Sequence, residues 1–185
     1  MNQPAVAVAV GLLLRACGYE TDDPSIADTP ARVARFWAEF LDGEQDRLGT
    51  TFASDKVDQL IVVSGIRVWS LCEHHLLPFS CDLAMGYLSG ERVLGLSKFA
   101  RIAHKYARQL QMQERLVAQI ADDLLSRVGE NVAVVGAGEH LCATMRGVRT
   151  PALMTTSEMR GRFRDDATLR AEFMSLVQNR TEGFR

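Results

Sequence analysis

Apolar residues fall at helical spacing near the start of the chain. Val6, Val10, Leu13, Leu14 and Cys17 mark one face and predict a helix from about Ala5 to Cys17, stopped by Gly18. Thr29-Pro30 opens a second helix, with Thr29 as cap and Pro30 in the first helical position. Its stripe is Val33, Phe36, Trp37, Phe40 and Leu41, and Gly43 ends it. Gly43 to Lys56 is polar without a period and reads as a loop. From Val57 to Ser70 the pattern changes to β formers, with Gly65 marking a bulge. Cys72 to Ser80 reads as a turn, Asp82 to Leu88 as a strand, and Ser89-Gly90-Glu91 as the next turn. Ser97 then caps a helix burying Phe99, Ile102, Ala103, Tyr106 and Leu110. A further helix carries Met112, Leu116, Val117, Ile120, Leu124, Leu125 and Val128. Asn131 to Cys142 and Thr144 to Thr156 read as strands. Asp165-Asp166 introduces a last helix with Leu169, Phe173, Leu176 and Val177 inward.

Strand pairs separated by helix pairs predict an α+β fold with antiparallel pairing. The 185 residues are expected to form a single domain over 1–185, with a helical appendage at about 1–50. A chain of that length encloses its own core without disulfide or metal.

Charge narrows the function. With 21 Lys+Arg against 23 Asp+Glu, the balance of −2 excludes a general nucleic-acid surface. A small anionic ligand stays open, because a few basic residues can converge locally. The longest apolar run, Pro4 to Leu14, is too short for a membrane span and lacks signal-peptide flanks. The expectation is a soluble cytoplasmic protein.

The cysteines and histidines concentrate the chemistry. Cys72-Glu73-His74-His75 and His140-Leu141-Cys142 hold two of four cysteines and three of four histidines. Thiolate and imidazole suit zinc, and a catalytic site keeps three protein ligands and one open position. Read as strand, His140 and Cys142 share a face. A closed structural site with Cys81 as fourth ligand is the alternative, while Cys17, Cys81 and His104 read as structural. Arg32, Lys98, Arg101, Arg146, Arg149, Arg160 and Arg162 lie at element edges, where they bind phosphate or simply form solvated surface. Glu114 at a helix start either accepts two hydrogen bonds from a guanine edge or complements the helix dipole.

Four segments together resemble the GTP cyclohydrolase I family: TPARVA (Thr29 to Ala34), SLCEHHLLPF (Ser70 to Phe79), GLSKFARIAHKYARQLQMQERL (Gly95 to Leu116) and EHLCATMRGV (Glu139 to Val148). They occur in the family's order, and the resemblance runs from about Thr29 to Phe173. It implies a tunnelling fold: an antiparallel four-stranded sheet with helices on one side, plus N-terminal helices, closing with other copies into a barrel. A homodecamer with active sites between subunits follows by resemblance.

The resemblance also assigns roles. Cys72, His75 and Cys142 match zinc ligands. His74 and His140 match catalytic histidines, and Ser97 a serine near ribose and phosphates. Arg32, Lys98, Arg101 and Arg146 match residues that hold the triphosphate, and Glu114 the carboxylate that reads guanine. The implied reaction converts GTP to 7,8-dihydroneopterin triphosphate and formate, a first step for folate and other pterins. The chain departs from the family pattern at Ala152–Met154, where Met154 stands in place of a common Thr, and at Cys81-Asp82. Those departures leave two alternatives: a paralogue opening GTP or another purine nucleotide to a different product, or a non-catalytic nucleotide-binding protein with structural zinc.

Overall fold

The computed structural model describes residues 1–42, 51–54 and 58–183, with side chains as far as residue 178. It divides into two compact units, Met1–Gly43 and Glu44–Arg185.

The first unit is a helix pair, α1 (Gln3–Ala16) and α2 (Thr29–Leu41). The Asn2 side chain caps α1 by accepting from the Ala5 N–H at 3.1 Å. Gly18, at φ +86°, stops it as expected. In α2 the cap is Asp28, so Thr29 and Pro30 lie inside the first turn. The chain turns early there because Thr29 N–H already donates to Ile26 O at 2.8 Å. Ala34 is the buried residue of α2, whereas Phe36 and Leu41 of the expected stripe are exposed. Cys17, expected to be structural, is exposed as well. Two helices have too little surface to enclose an apolar stripe and a thiol beyond their mutual contact.

In the second unit the chain order is β1 (Thr51–Ala53), β2 (Leu60–Cys72), β3 (Pro78–Leu88), β4 (Arg92–Leu94) and α3 (Leu96–Ala107). Next come β5 (Leu110–Gln111), α4 (Gln113–Val128), β6 (Val132–His140) and the single turn α5 (Leu141–Thr144). Last are β7 (Leu153–Met159), α6 (Arg162–Asp165) and α7 (Ala167–Gly183). Of the expected loop, residues 43–50 and 55–56 lie outside the described residues, and so does Val57. β1 falls inside it and pairs with β4.

The main sheet has the order β5-β2-β3-β6-β7. Its four long strands are antiparallel, as anticipated, and β5 adds a fifth strand parallel to β2. Leu110, expected on a helix, belongs to that strand and is exposed. The bulge at Gly65 is present: the register shifts between Ser64 and Ile66, with Gly65 at φ +76°.

Strand alternation builds two cores. Phe79, Cys81, Leu83, Met85 and Tyr87 face α3 and α4, meeting Phe99, Ile102, Leu116, Ile120 and Leu124. Each large side chain so enclosed contributes about 1.5–3 kcal/mol. The opposite face carries Leu88, Ala133 and Val135 against Phe163, Leu169 and Phe173. Helices therefore cover both faces, not one. Gly86 permits this, since a Cβ there would stand 2.8 Å from the Phe173 ring. Leu169, Phe173 and Val177 pack as expected, but Leu176 is exposed. Four-residue steps overshoot a helical turn by ~40°, which carries the buried stripe away from Leu176.

Three boundaries that matter to the site differ from the sequence pattern. β3 begins at Pro78, whose missing N–H is tolerated at a strand's first residue, so the turn shortens to Glu73–Leu77. α3 begins at Leu96 after extended Gly95, with Lys98 N–H donating to Gly95 O at 2.8 Å. Ser97 is thus inside the helix and does not cap it. β6 stops at His140, its last residue paired with β3, and β7 begins only at Leu153.

Candidate metal centre and active site

Cys72 ends β2, and the chain reverses at once. Leu76 N–H donates to Cys72 O at 2.9 Å, Cys72 N–H donates to Leu77 O at 2.9 Å, and Leu76 adopts φ +56°. This tight reversal brings His75 Nδ1 to 3.8 Å from Cys72 Sγ. Cys142 comes from α5. It lies on a helical turn, not on a strand sharing a face with His140, because Met145 N–H and Thr144 Oγ1 fold back onto Leu141 O and His140 O. The ligand atoms of Cys72, His75 and Cys142 all lie within 4.8 Å of one another. Tetrahedral zinc, with bonds of ~2.3 Å to sulfur and ~2.0–2.1 Å to nitrogen, needs such atoms ~3.5–3.8 Å apart. Burial and the facing Cys72 thiol both push the Cys142 thiol up, a repulsion that a cation between the sulfurs would remove. Donor set and spacing therefore fit the ion.

The neighbouring groups stay outside that trio. Cys81 is sealed in the core facing α3 and α4, its thiol pushed up to about 12 by burial, so it is not the fourth ligand of a closed site. His74 is exposed, with Nδ1 3.8 Å from Cys72 Sγ and Nε2 3.9 Å from Glu73 Oε1. It stands beside the trio without joining it.

His140 is held on two sides. Its ring stacks on Phe79, with centroids 4.5 Å apart and planes 8° apart. Its Nε2 lies 2.9 Å from Gln113 Oε1. Gln113 is fully buried, and its amide nitrogen donates to Gly136 O (3.1 Å), Met154 O (2.9 Å) and Thr156 Oγ1 (3.1 Å). Burial depresses His140 below the usual imidazole range, and the Glu114 carboxylate opposes that in part. Met154 makes its contact through the backbone, so the departure from Thr there leaves this bond in place.

The GTP cyclohydrolase I family model matches residues 6–178. The chain belongs to the GTP cyclohydrolase I family. GTP cyclohydrolase 1 of Mycobacterium ulcerans is 45% identical over 183 residues, covering 95% of this chain and 91% of that one. The Thermobifida fusca protein of the same name is 43% identical over 97% of this chain and 90% of that one. The Deinococcus radiodurans protein is 44% identical, with 92% and 82% covered. This family member is an enzyme of that kind. A solved structure, the archaeosine synthase QueF-Like in the apo form, covers 56% of this chain and 96% of that one at 14% identity and a TM-score of 0.43.

The remaining residues of the family pattern fall into three groups. Arg146 donates to Cys142 O at 3.5 Å, and Glu114, itself exposed, stands in the first turn of α4 next to the buried Gln113. Ser97, Lys98 and Arg101 lie at the start of α3, with Lys98 buried. Arg32 belongs to the first unit, exposed and paired with Asp28 at 3.3 Å. Two basic residues singled out with them serve ion pairs: Arg160 with Glu158 and Asp122, and Arg162 with Asp58.

Several supporting residues stood inside readable segments, Gln113 and Arg115 flanking Glu114 at the helix start, but their contacts did not show there. Arg115 bonds Glu73 of the metal turn and also donates to Gln111 Oε1, so it ties that turn to the start of α4. Gly138 leaves room for Gln113: a Cβ there would stand 2.1 Å from Gln113 Oε1. Gln113 was visible as the neighbour of Glu114, and Phe79 as the end of the Ser70 to Phe79 segment.

Proposed function

We propose that this enzyme binds zinc through Cys72, His75 and Cys142 and hydrolyses GTP at guanine C8. It releases formate and yields 7,8-dihydroneopterin triphosphate. The observation that carries this reading is a three-ligand group of two thiols and one imidazole beside a separately anchored histidine, His140. A purely structural site would have no use for that second device.

Bound zinc supplies a Lewis acid that activates water near neutral pH. The chain's own residues do the rest. Glu114 accepts two hydrogen bonds from the guanine edge and sets the base's orientation. Lys98, Arg101, Arg146 and Arg32 neutralise the triphosphate. Ser97 stands near the ribose and phosphates. His140 delivers a proton to guanine N7, making C8 electrophilic, and Phe79 keeps the imidazole plane fixed. Water adds at C8 and the imidazole ring opens. A second hydrolysis frees formate, with exposed His74 beside the metal trio to position water or carry protons. The ribose then rearranges and the new ring closes.

Among the described residues, no strand pairs with the outer edge of β7. That edge supports assembly into a homo-oligomer, a decamer by resemblance, with active sites between subunits. No helix among the described residues is long and apolar enough to cross a membrane, and the reading places the enzyme in the cytoplasm.

The test is incubation of zinc-loaded protein with GTP. Formate and, after oxidation, fluorescent neopterin are expected, with product mass separating this reaction from a partial ring opening. His140→Gln is expected to abolish turnover and keep the zinc. Full activity of that variant, or no formate from verified zinc-loaded enzyme, overturns the reading.

A further inference from the structure

The hydrogen bonds around Gln113 decide more than its own position. Its amide nitrogen faces two backbone carbonyls, Gly136 O at 3.1 Å and Met154 O at 2.9 Å. Carbonyl oxygens only accept, so the group facing them has to be the NH2. Reversing the amide would set its oxygen against both carbonyl oxygens, lose two donated hydrogen bonds and bring acceptor against acceptor around a fully buried side chain. The amide oxygen therefore points at His140 Nε2, 2.9 Å away. That oxygen can only accept, so Nε2 has to carry hydrogen.

We infer that Gln113 is a positioning residue that locks His140 in the Nε2–H tautomer, so that any proton exchanged with substrate passes through Nδ1. This rests on the reading that His140 meets the substrate. In the neutral ring Nδ1 holds the lone pair; in the charged ring both nitrogens carry hydrogen and the Gln113 bond persists. Only the charged ring, protonated at Nδ1 from solvent, can give a proton to guanine N7; the Nδ1–H bond then breaks, its electron pair stays on Nδ1, and Nε2–H remains on Gln113 Oε1. The ring therefore does not have to reorient between accepting and delivering a proton. Phe79 holds the ring plane from one face. Gly138 keeps the space that Gln113 Oε1 occupies. The lock thus draws on β3, α4, β6 and β7 together.

The test is 15N NMR of histidine-labelled, zinc-loaded enzyme, with His140 assigned by loss of its signals in His140→Gln. The expected spectrum shows a protonated Nε2 and a bare Nδ1 in the neutral ring. A neutral His140 protonated at Nδ1 overturns the inference while leaving the proposed reaction untouched. Conversely, an active His140→Gln variant overturns the reaction reading without altering the tautomer result. Gln113→Met removes the acceptor. It is expected to lower kcat by about 10²-fold, the lower end of what a positioned general acid contributes, with less change in KM and zinc content. Gln113→Glu keeps an acceptor toward Nε2 but sets its second oxygen against Gly136 O and Met154 O, so it is expected to hold the tautomer and part of kcat at a cost in stability. Equal kcat losses in both variants, with unchanged tautomer in each, would mean that Gln113 only packs.

Discussion

His140 and Phe79 are cross-strand partners at the ends of β6 and β3, and their rings lie face to face, 8° from parallel. The last pair of the ladder thus fixes the plane of the His140 imidazole. Phe79 is fully buried, so it belongs to the core and to the site at once. Phe79→Leu keeps most of the apolar volume and removes the flat surface. The expected loss is about 1–3 kcal/mol of stability in urea unfolding, with a fall in kcat and unchanged zinc content. Wild-type kcat would show that the stacking does not serve catalysis.

Gly138 lies two residues before His140. A methyl group there would meet Gln113 Oε1 at 2.1 Å and Ser80 O at 2.7 Å. Ser80 O belongs to the sheet and cannot retreat, so Gln113 has to move. Gly138→Ala is expected to cost about 1–3 kcal/mol and to impair turnover along with stability. Thermal unfolding and steady-state kinetics on one preparation check both effects.

Asp123 of α4 joins the helices through Arg127, Lys105 at 3.0 Å and Tyr106 O–H at 2.9 Å. Burial pushes its carboxyl up, but the hydrogen bonds from Arg127, Lys105 and Tyr106 outweigh it. The net position is below the ordinary 3.8. A depressed carboxyl contributes stability that is complete above 3.8 and lost as pH falls through the folded value. Lys105, raised chiefly by its bond to Asp123, contributes stability present below 10.5 and lost as pH climbs beyond it. Asp123→Ala is expected to cost about 3 kcal/mol near neutrality, because it removes the buried carboxylate that Arg127, Lys105 and Tyr106 share. It should also flatten the acid limb of a stability–pH curve measured by denaturant unfolding. An unchanged acid limb would assign that limb to other carboxylates.

Removal of metal separates the trio from its neighbours. Cys142→Ser is expected to lose most bound zinc, whereas His74→Ala keeps it and loses activity. Metal analysis after gel filtration reads both. Chelation of the parent protein should lower the melting temperature, since a ligand at 100 times its Kd adds about 2.7 kcal/mol to the folded state. Zinc loss in His74→Ala equal to that in Cys142→Ser would place His74 among the ligands.

Much of the fold was readable because strand and helix periods are local properties. The long strands, the bulge at Gly65 and the two helices α3 and α4 follow from residue spacing and from one glycine. The turn at Cys72 and the thiol–imidazole set were readable too, since ligand chemistry depends on residue type. Boundaries were not. Pro78 joins β3 because Leu71 stands opposite it in the ladder, and β6 stops at His140 because pairing with β3 stops there. Leu110 left its helix for a strand beside β2, a long-range pairing with no local mark.

The sequence by itself determined which residue types could ligate a metal, the long helices and strands, and, through four ordered motifs, the family. Only the tertiary structure decided that Cys142 reaches the metal group from a helical turn and that Cys81 is sealed away from it. Likewise, only the tertiary structure set Gln113 against His140. Those outcomes depend on which backbone groups face each other across elements far apart in sequence. A carbonyl at Gly136 and another at Met154 fix the direction of one amide, and no periodicity within α4 carries that information.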